Sequence, residues 1–165
     1  MKQTLPILDL DVDQEAFIRE QSIVWLRTLQ STDQPLWGMM TPQHMIEHLI
    51  FIYENSLGER AVNLLIEEEK LPKYLSFLRS HYGFSQNFKF GMIPENELVP
   101  LKYGSIEDAI KVLEQKISTF FEMINADTFQ FTLHPYYGKL NRADSILFQF
   151  KHTMHHLMQF GWVQK

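Results

Sequence analysis

Seven histidines and no cysteine set the chemistry open to this 165-residue chain. Three of the histidines crowd into QFKHTMHHLMQF, residues 149–160, at positions 152, 155 and 156. His152 and His156 are four residues apart, so on a helix their rings project from successive turns of one face and can hold one cation together. His155 points about 100° away from that pair and fits a supporting or surface place. Without a thiol, disulfides, thiolate zinc sites and a protein-borne thiol nucleophile are excluded, and any metal must be held by His, Asp or Glu. Periodicity leaves the pair open to a second account. Leu147, Phe150, Met154, Leu157 and Met158 form one stripe, whereas Ser145, Gln149, His152, His156 and Gln159 lie nearly opposite. That polar stripe is either the solvated side of a terminal helix or the lining of a shared site.

A third ligand must come from another element. TPQHMIEHLIFIYENSLG starts a helix with Thr41 as N-cap and Pro42 at its first position, running to about Leu57. Its apolar residues, Met45, Ile46, Leu49, Ile50, Ile52, Tyr53 and Leu57, go almost all the way round and leave a narrow charged strip at Glu47 and Glu54. His48 lies about 100° off that strip, on the side of Ile52 and Asn55, and is expected to face other helices. A buried imidazole needs a partner for each ring nitrogen, so His48 is either a hydrogen-bonded core histidine or the third member of the cluster. His44, one turn earlier, is its rival. In HPYYG, Pro135 and Gly138 fix a turn that leads into the last helix, and His134 either braces that turn or reaches the metal; bracing is preferred. His44, His155, His134 and Asn55 are thus the supporting or alternative candidates.

The elements that position these residues are helical. DQEAFIREQSIVWLRTLQS predicts a helix capped by Asp11 or Asp13 with Phe17, Val24, Leu26 and Leu29 inward. STDQPLWG breaks it, with Trp37 and Gly38 as a packing corner. A short helix follows Pro72 in PKYLSFLRS, with ENSLGERAVNLLIEEEK as a helical extension before it. Ser105 and Asp108 cap SIEDAIKVLEQKISTFFEMINA, whose Ile106, Ala109, Ile110, Leu113, Ile117 and Phe120 keep the helical period. TFQFTLHPYYGKL reads as irregular, and Asn141 with Asp144 caps a last helix ending near Gly161. His81 to Gly104 lacks periodicity; with Tyr82, Phe84, Phe88 and Phe90 it is expected either to wall a cleft or to cover core. The expectation is an all-α four-helix bundle, one domain over residues 1–165, with a long irregular insertion and with the two histidine-bearing helices adjacent. The eight methionines read as core filler.

At these residues the chain resembles the DinB/YfiT-like superfamily of four-helix bundles, and within it the domain-of-unknown-function family fifteen-sixty-nine. WGMMTPQHMIEH, residues 37–48, is similar to that branch's Trp-Gly-x-Met-[Thr/Ser] start followed by a helix-borne histidine. HPYYGKLNRADSILFQFKHTMHHLMQFG, residues 134–161, is similar to its His-Pro-x-Phe-Gly-x-Leu loop leading into Lys-His-x-x-His-His-Leu-x-Gln-Phe-Gly, with Tyr137 where the branch has Phe. Roughly half the chain, between the blocks, carries no comparable match. The resemblance implies that the metal triad is His48, His152 and His156, and that the metal sits in a cleft between helices. Relatives in the wider superfamily include hydrolases and thiol-dependent transferases.

An ion on three neutral imidazoles keeps its double charge and one to three open positions, as catalytic rather than structural sites do. Imidazole suits several metals; zinc or nickel is expected before iron or manganese. The activity expected is a metal-dependent hydrolase or thiol transferase acting on a small molecule, the thiol being the substrate's, with no general base assigned. The competing expectation is a non-catalytic ligand-binding or dimerisation module, a homodimer included, whose metal is structural or absent. With 15 basic against 20 acidic residues there is no concentrated positive charge to bind nucleic acid. The start MKQTLPILDLDVDQE has neither a basic opening nor a long apolar run, and no stretch is apolar enough to span a membrane, so a cytoplasmic location is expected.

Overall fold

The computed structural model describes residues 4–86 and 98–163. The first rod begins at Asp13, whose Oδ1 accepts the Ala16 amide at 2.9 Å. It runs through α1 (Gln14–Ala16), a π-helical turn (Phe17–Gln21) and α2 (Ser22–Leu26). The π turn holds an extra residue and rotates everything after it. Ile18, Ser22, Ile23 and Leu26 therefore point inward with Phe17, while Val24, expected inside, is 66% exposed.

α3 (Pro42–Ser56) has Thr41 as its cap and Pro42 at its start, as the sequence predicted. It stops because Gly58 takes φ +73°, the left-handed turn that ends helices. The helical extension expected between Glu54 and Lys70 is accordingly absent; after that glycine only a 3-10 turn (Glu68–Lys70) precedes α4 (Leu71–Leu78). α5 (Ile106–Asn125) is capped by the Ser105 hydroxyl, which accepts the Asp108 amide at 3.1 Å. It lays Ala109, Ile110, Leu113, Ile117, Phe120, Phe121 and Ile124 against α3.

TFQFTLHPYYGKL departs from the irregular expectation. Thr132–His134 (β1) and Gly138–Leu140 (β2) pair antiparallel, with Leu133 opposite Lys139. Strands of three residues are too short for alternation to register in sequence, yet Thr132 and His134 are buried and Leu133 is exposed. α6 (Arg142–Gln159) follows, with Asn141 Oδ1 accepting the Asp144 amide at 2.9 Å.

Of the two interpretations of the α6 polar stripe, the solvated one is wrong. Ser145, Gln149, His152, His156 and Gln159 are all buried, as are Phe150, Met154 and Leu157 on the other side. The helix is covered from several directions: α3, the first rod, α4 and β2 all pack on it. A main core lies among the first rod, α3, α5 and α6. A smaller one, Ile52, Leu78, Phe84, Tyr137, Leu140 and Phe148, sits beneath the hairpin and α4. The fold is all-α with one small hairpin, and α3 and α6 are neighbours as expected.

Of the aperiodic stretch, Phe88 and Phe90 lie outside the described residues. Tyr82 makes a bridge with Ile7 and is half exposed, whereas Phe84 is buried in the smaller core. Among the described residues no helix is long and apolar enough to cross a membrane.

Candidate metal centre

His48 from α3 and His152 and His156 from α6 meet in the interior. The Nε2 atoms of His48 and His152 are 3.1 Å apart. One nitrogen from each of the three rings falls within a common 4.8 Å span. Two nitrogens bound to one zinc ion at 2.0–2.1 Å with tetrahedral angles lie about 3.3–3.4 Å apart, so the His48–His152 pair is within a few tenths of an ångström of that spacing and the third nitrogen must draw in from within the 4.8 Å span. The rings stand 4.6–4.9 Å apart centre to centre.

Burial fixes the charge state. Among the described residues no carboxylate joins the cluster. Desolvation, with a smaller contribution from His155, lowers the His48 pKa to about 4. Desolvation and the neighbouring imidazoles push His152 and His156 well below the usual range. All three are neutral at pH 7, the protonation state in which imidazole binds a metal. The Nδ1 of His48 is buried with no hydrogen-bond partner among the described residues, an uncompensated polar atom in a packed interior. A cluster of neutral, inward-facing imidazoles fits a divalent ion better than it fits an apolar core.

The other candidates are placed apart from this cluster. His44 lies outside the group: its Nδ1 is 2.6 Å from the Thr41 hydroxyl at the helix start, one turn before His48. Asn55 is buried, but two turns beyond His48, roughly 10 Å along the helix. His155 turns towards Trp37 and Phe84, with ring centres at 5.7 and 6.2 Å, and its ring stands edge-on to His156 at 5.0 Å. Burial lowers its pKa to about 4, opposed by a hydrogen bond to the Phe84 backbone. His134 is a brace: its Nδ1 accepts the Tyr136 amide at 3.1 Å and its ring packs at 4.2 Å on Phe148. Phe148 in turn stacks on His152 at 5.6 Å. Glu47, on the charged strip of α3, accepts the amides of Lys102 and Tyr103 instead of facing the histidines.

Two further buried polar residues of α6 were not among the site candidates read from sequence, and one of them, Gln159, touches the cluster. Gln159 accepts from the His156 ring at Nδ1, 2.9 Å away, and donates to the Trp37 carbonyl at 2.8 Å. Its place three residues after His156 was the available signal, since i and i+3 share a helix face. Lys151 is fully buried, its ammonium donating to the carbonyls of Ser80 at 2.5 Å and Tyr82 at 2.8 Å. Desolvation lowers its pKa to about 8. Beside these residues is a cavity of about 310 Å³, walled by Leu36, Trp37, Phe84, Lys151, His155 and Trp162.

No curated protein and no solved structure matches the chain significantly. The family model described as the DinB superfamily matches residues 25–160. That span carries all three histidines of the cluster and both helices that present them, and the chain belongs to the DinB superfamily.

Proposed function

We propose that His48, His152 and His156 bind one divalent ion, zinc or nickel, and that the protein is a metal-dependent enzyme acting on a small molecule, either a hydrolase or a thiol-dependent transferase. The observation that carries this reading is three buried, neutral imidazoles with ligand nitrogens within 4.8 Å of one another. Three protein ligands leave open positions on the ion, and a divalent ion so held acidifies and orients an oxygen or sulfur nucleophile. With no cysteine in the chain, any thiol belongs to the substrate.

The protein's own contribution is binding and water exclusion. The cavity beside His155 is near the lower end of the size range of small-molecule sites and is mostly aromatic and aliphatic, suited to a substrate's apolar body. Trp37, Phe84 and Trp162 supply flat surfaces, and Lys151 borders the cavity with its ammonium held by the Ser80 and Tyr82 carbonyls. His155 stands between this cavity and His156. The Trp37–Gly38 start and the Lys151-to-Gly161 block support membership of the branch resembled in the sequence.

Tag-free protein, stripped with a chelator and reloaded with zinc or nickel, should be assayed for ester and amide hydrolysis and for conjugation of small thiols to an electrophile. Turnover that appears only on reloading supports the enzyme. Metal-dependent ligand binding without turnover favours the non-catalytic binding module, and failure to bind either metal ends the reading.

A further inference from the structure

We infer that Gln159, together with the Trp37–Gly38 corner, is a positioning device that fixes the tautomer of His156, so that its Nε2 is the nitrogen offered to the shared site. The inference rests on the metal reading above, but its first observable does not require metal.

A backbone carbonyl only accepts, so the group of Gln159 facing the Trp37 carbonyl at 2.8 Å must be the amide nitrogen. That choice orients the whole side chain and leaves its Oε1 2.9 Å from Nδ1 of His156. An amide oxygen also only accepts, so Nδ1 must carry the proton. In a neutral imidazole the other nitrogen, Nε2, then holds a free lone pair. His156 is thereby ready to ligate with no proton to move. His48 is the contrast, because its Nδ1 has no partner among the described residues and its Nε2 meets another imidazole, that of His152 at 3.1 Å, where either ring can be the donor.

The corner before α3 makes this contact possible. The Leu36 amide donates to the Gln159 carbonyl at 2.7 Å, which sets the loop against the end of α6. Gly38 has φ +77°, and a Cβ there would lie 2.9 Å from the Gln159 amide nitrogen, closer than real side chains come. Any other residue would be strained at this φ and would push the end of the Gln159 side chain away from the Trp37 carbonyl. The Trp37–Gly38 pair, expected from sequence as a packing corner, thus acts on a histidine through a backbone carbonyl. Partners of this kind raise ligand basicity and hold ring orientation, and their loss typically lowers metal affinity by about 10–100-fold.

The test combines nitrogen NMR of metal-free protein with zinc affinity measured by competition against a chromophoric chelator. In the wild type, long-range proton–nitrogen correlations of His156 should show the Nδ1–H tautomer. Gln159→Leu, which removes acceptor and donor together, should shift His156 towards the Nε2–H form and weaken zinc binding by about 10–100-fold. Gln159→Glu keeps an acceptor for Nδ1–H but cannot donate to Trp37; it should retain the Nδ1–H tautomer and recover most of the affinity. A role confined to tying the loop to α6 predicts the opposite, with Glu as harmful as Leu. The proposal is overturned by an Nε2–H tautomer in the wild type, by an unchanged tautomer in the Leu variant, or by failure of the Glu variant to rescue. If wild-type protein binds no zinc, the metal reading fails, while the tautomer measurements still decide the part played by Gln159.

Discussion

His134 offers a clean measure of what burying a neutral imidazole does to this fold. It is 6% exposed, and desolvation lowers its pKa to about 3. The unfolded chain takes up a proton near the ordinary value of about 6.5, whereas the folded protein does not until far lower pH. Between those values the unfolded state binds more protons, so stability falls as the solution is acidified. The contribution is fully present above about pH 6.5 and is lost progressively down to about pH 3. Between pH 7 and pH 5 one such histidine removes about 1.9 kcal/mol. In a domain of this size that is about 4–8 °C in Tm. His134→Asn is the appropriate perturbation, because its Oδ1 can still accept the Tyr136 amide while its side chain does not titrate in this range. Urea unfolding of metal-free wild type and variant at pH 7, 6 and 5 gives the comparison. The variant starts less stable, having lost packing on Phe148, but its stability should fall by about 1.9 kcal/mol less than the wild type's over that span. A wild-type-minus-variant difference that stays constant from pH 7 to pH 5 would refute the argument, since His134 would then titrate alike folded and unfolded.

Other consequences follow from single residues. Gly38→Ala forces a side chain into the left-handed region at about 1–2 kcal/mol and pushes on Gln159, so urea unfolding should show that loss and zinc titration a weaker site. Lys151→Met removes two charge-assisted hydrogen bonds worth roughly 1.5–3 kcal/mol each, but also a desolvation penalty of about 3.4 kcal/mol implied by the fall from 10.5 to about 8. Its net cost at pH 7 should therefore be under about 3 kcal/mol by urea unfolding. Because the unfolded lysine holds its proton to higher pH, the wild type should gain stability relative to this variant between pH 8 and pH 10.5. A flat difference across that interval would contradict the assignment.

What the sequence revealed was what local rules govern. Thr41, Ser105 and Asn141 announced three helix starts because a cap is a contact over three residues. The i, i+4 spacing of His152 and His156 likewise survives any packing of α6. His44 stayed a rival to His48 in the sequence, because one turn of helix moves a side chain only about 5.4 Å along the axis and periodicity alone does not choose between them. Features that depend on distant chain were hidden. The polar stripe of α6 is interior only because α3, the first rod and α4 cover it, and periodicity can mark a face without saying what lies against it. The π turn at Phe17–Gln21 has no local signature, so the inward assignment of Val24 failed. The burial of Lys151 had no local signal, since its two carbonyl partners come from Ser80 and Tyr82, some seventy positions away. Gln159 was recognisable as a neighbour of His156, but its second bond, to Trp37, was not.

A single divalent-metal site at His48, His152 and His156 fixes how much metal each variant of the protein can hold. It is tested most directly by metal stoichiometry in tag-free protein carrying single His→Ala substitutions, reloaded with zinc or nickel at neutral pH and measured by elemental analysis after removal of free ion. About one ion per chain is expected in the wild type, with loss of stoichiometric binding in the variants at 48, 152 and 156 and retention at 44 and 155. Loss at 44 with normal binding after His48→Ala would move the site one turn towards the start of α3, and unchanged metal content in all five variants would contradict the site altogether.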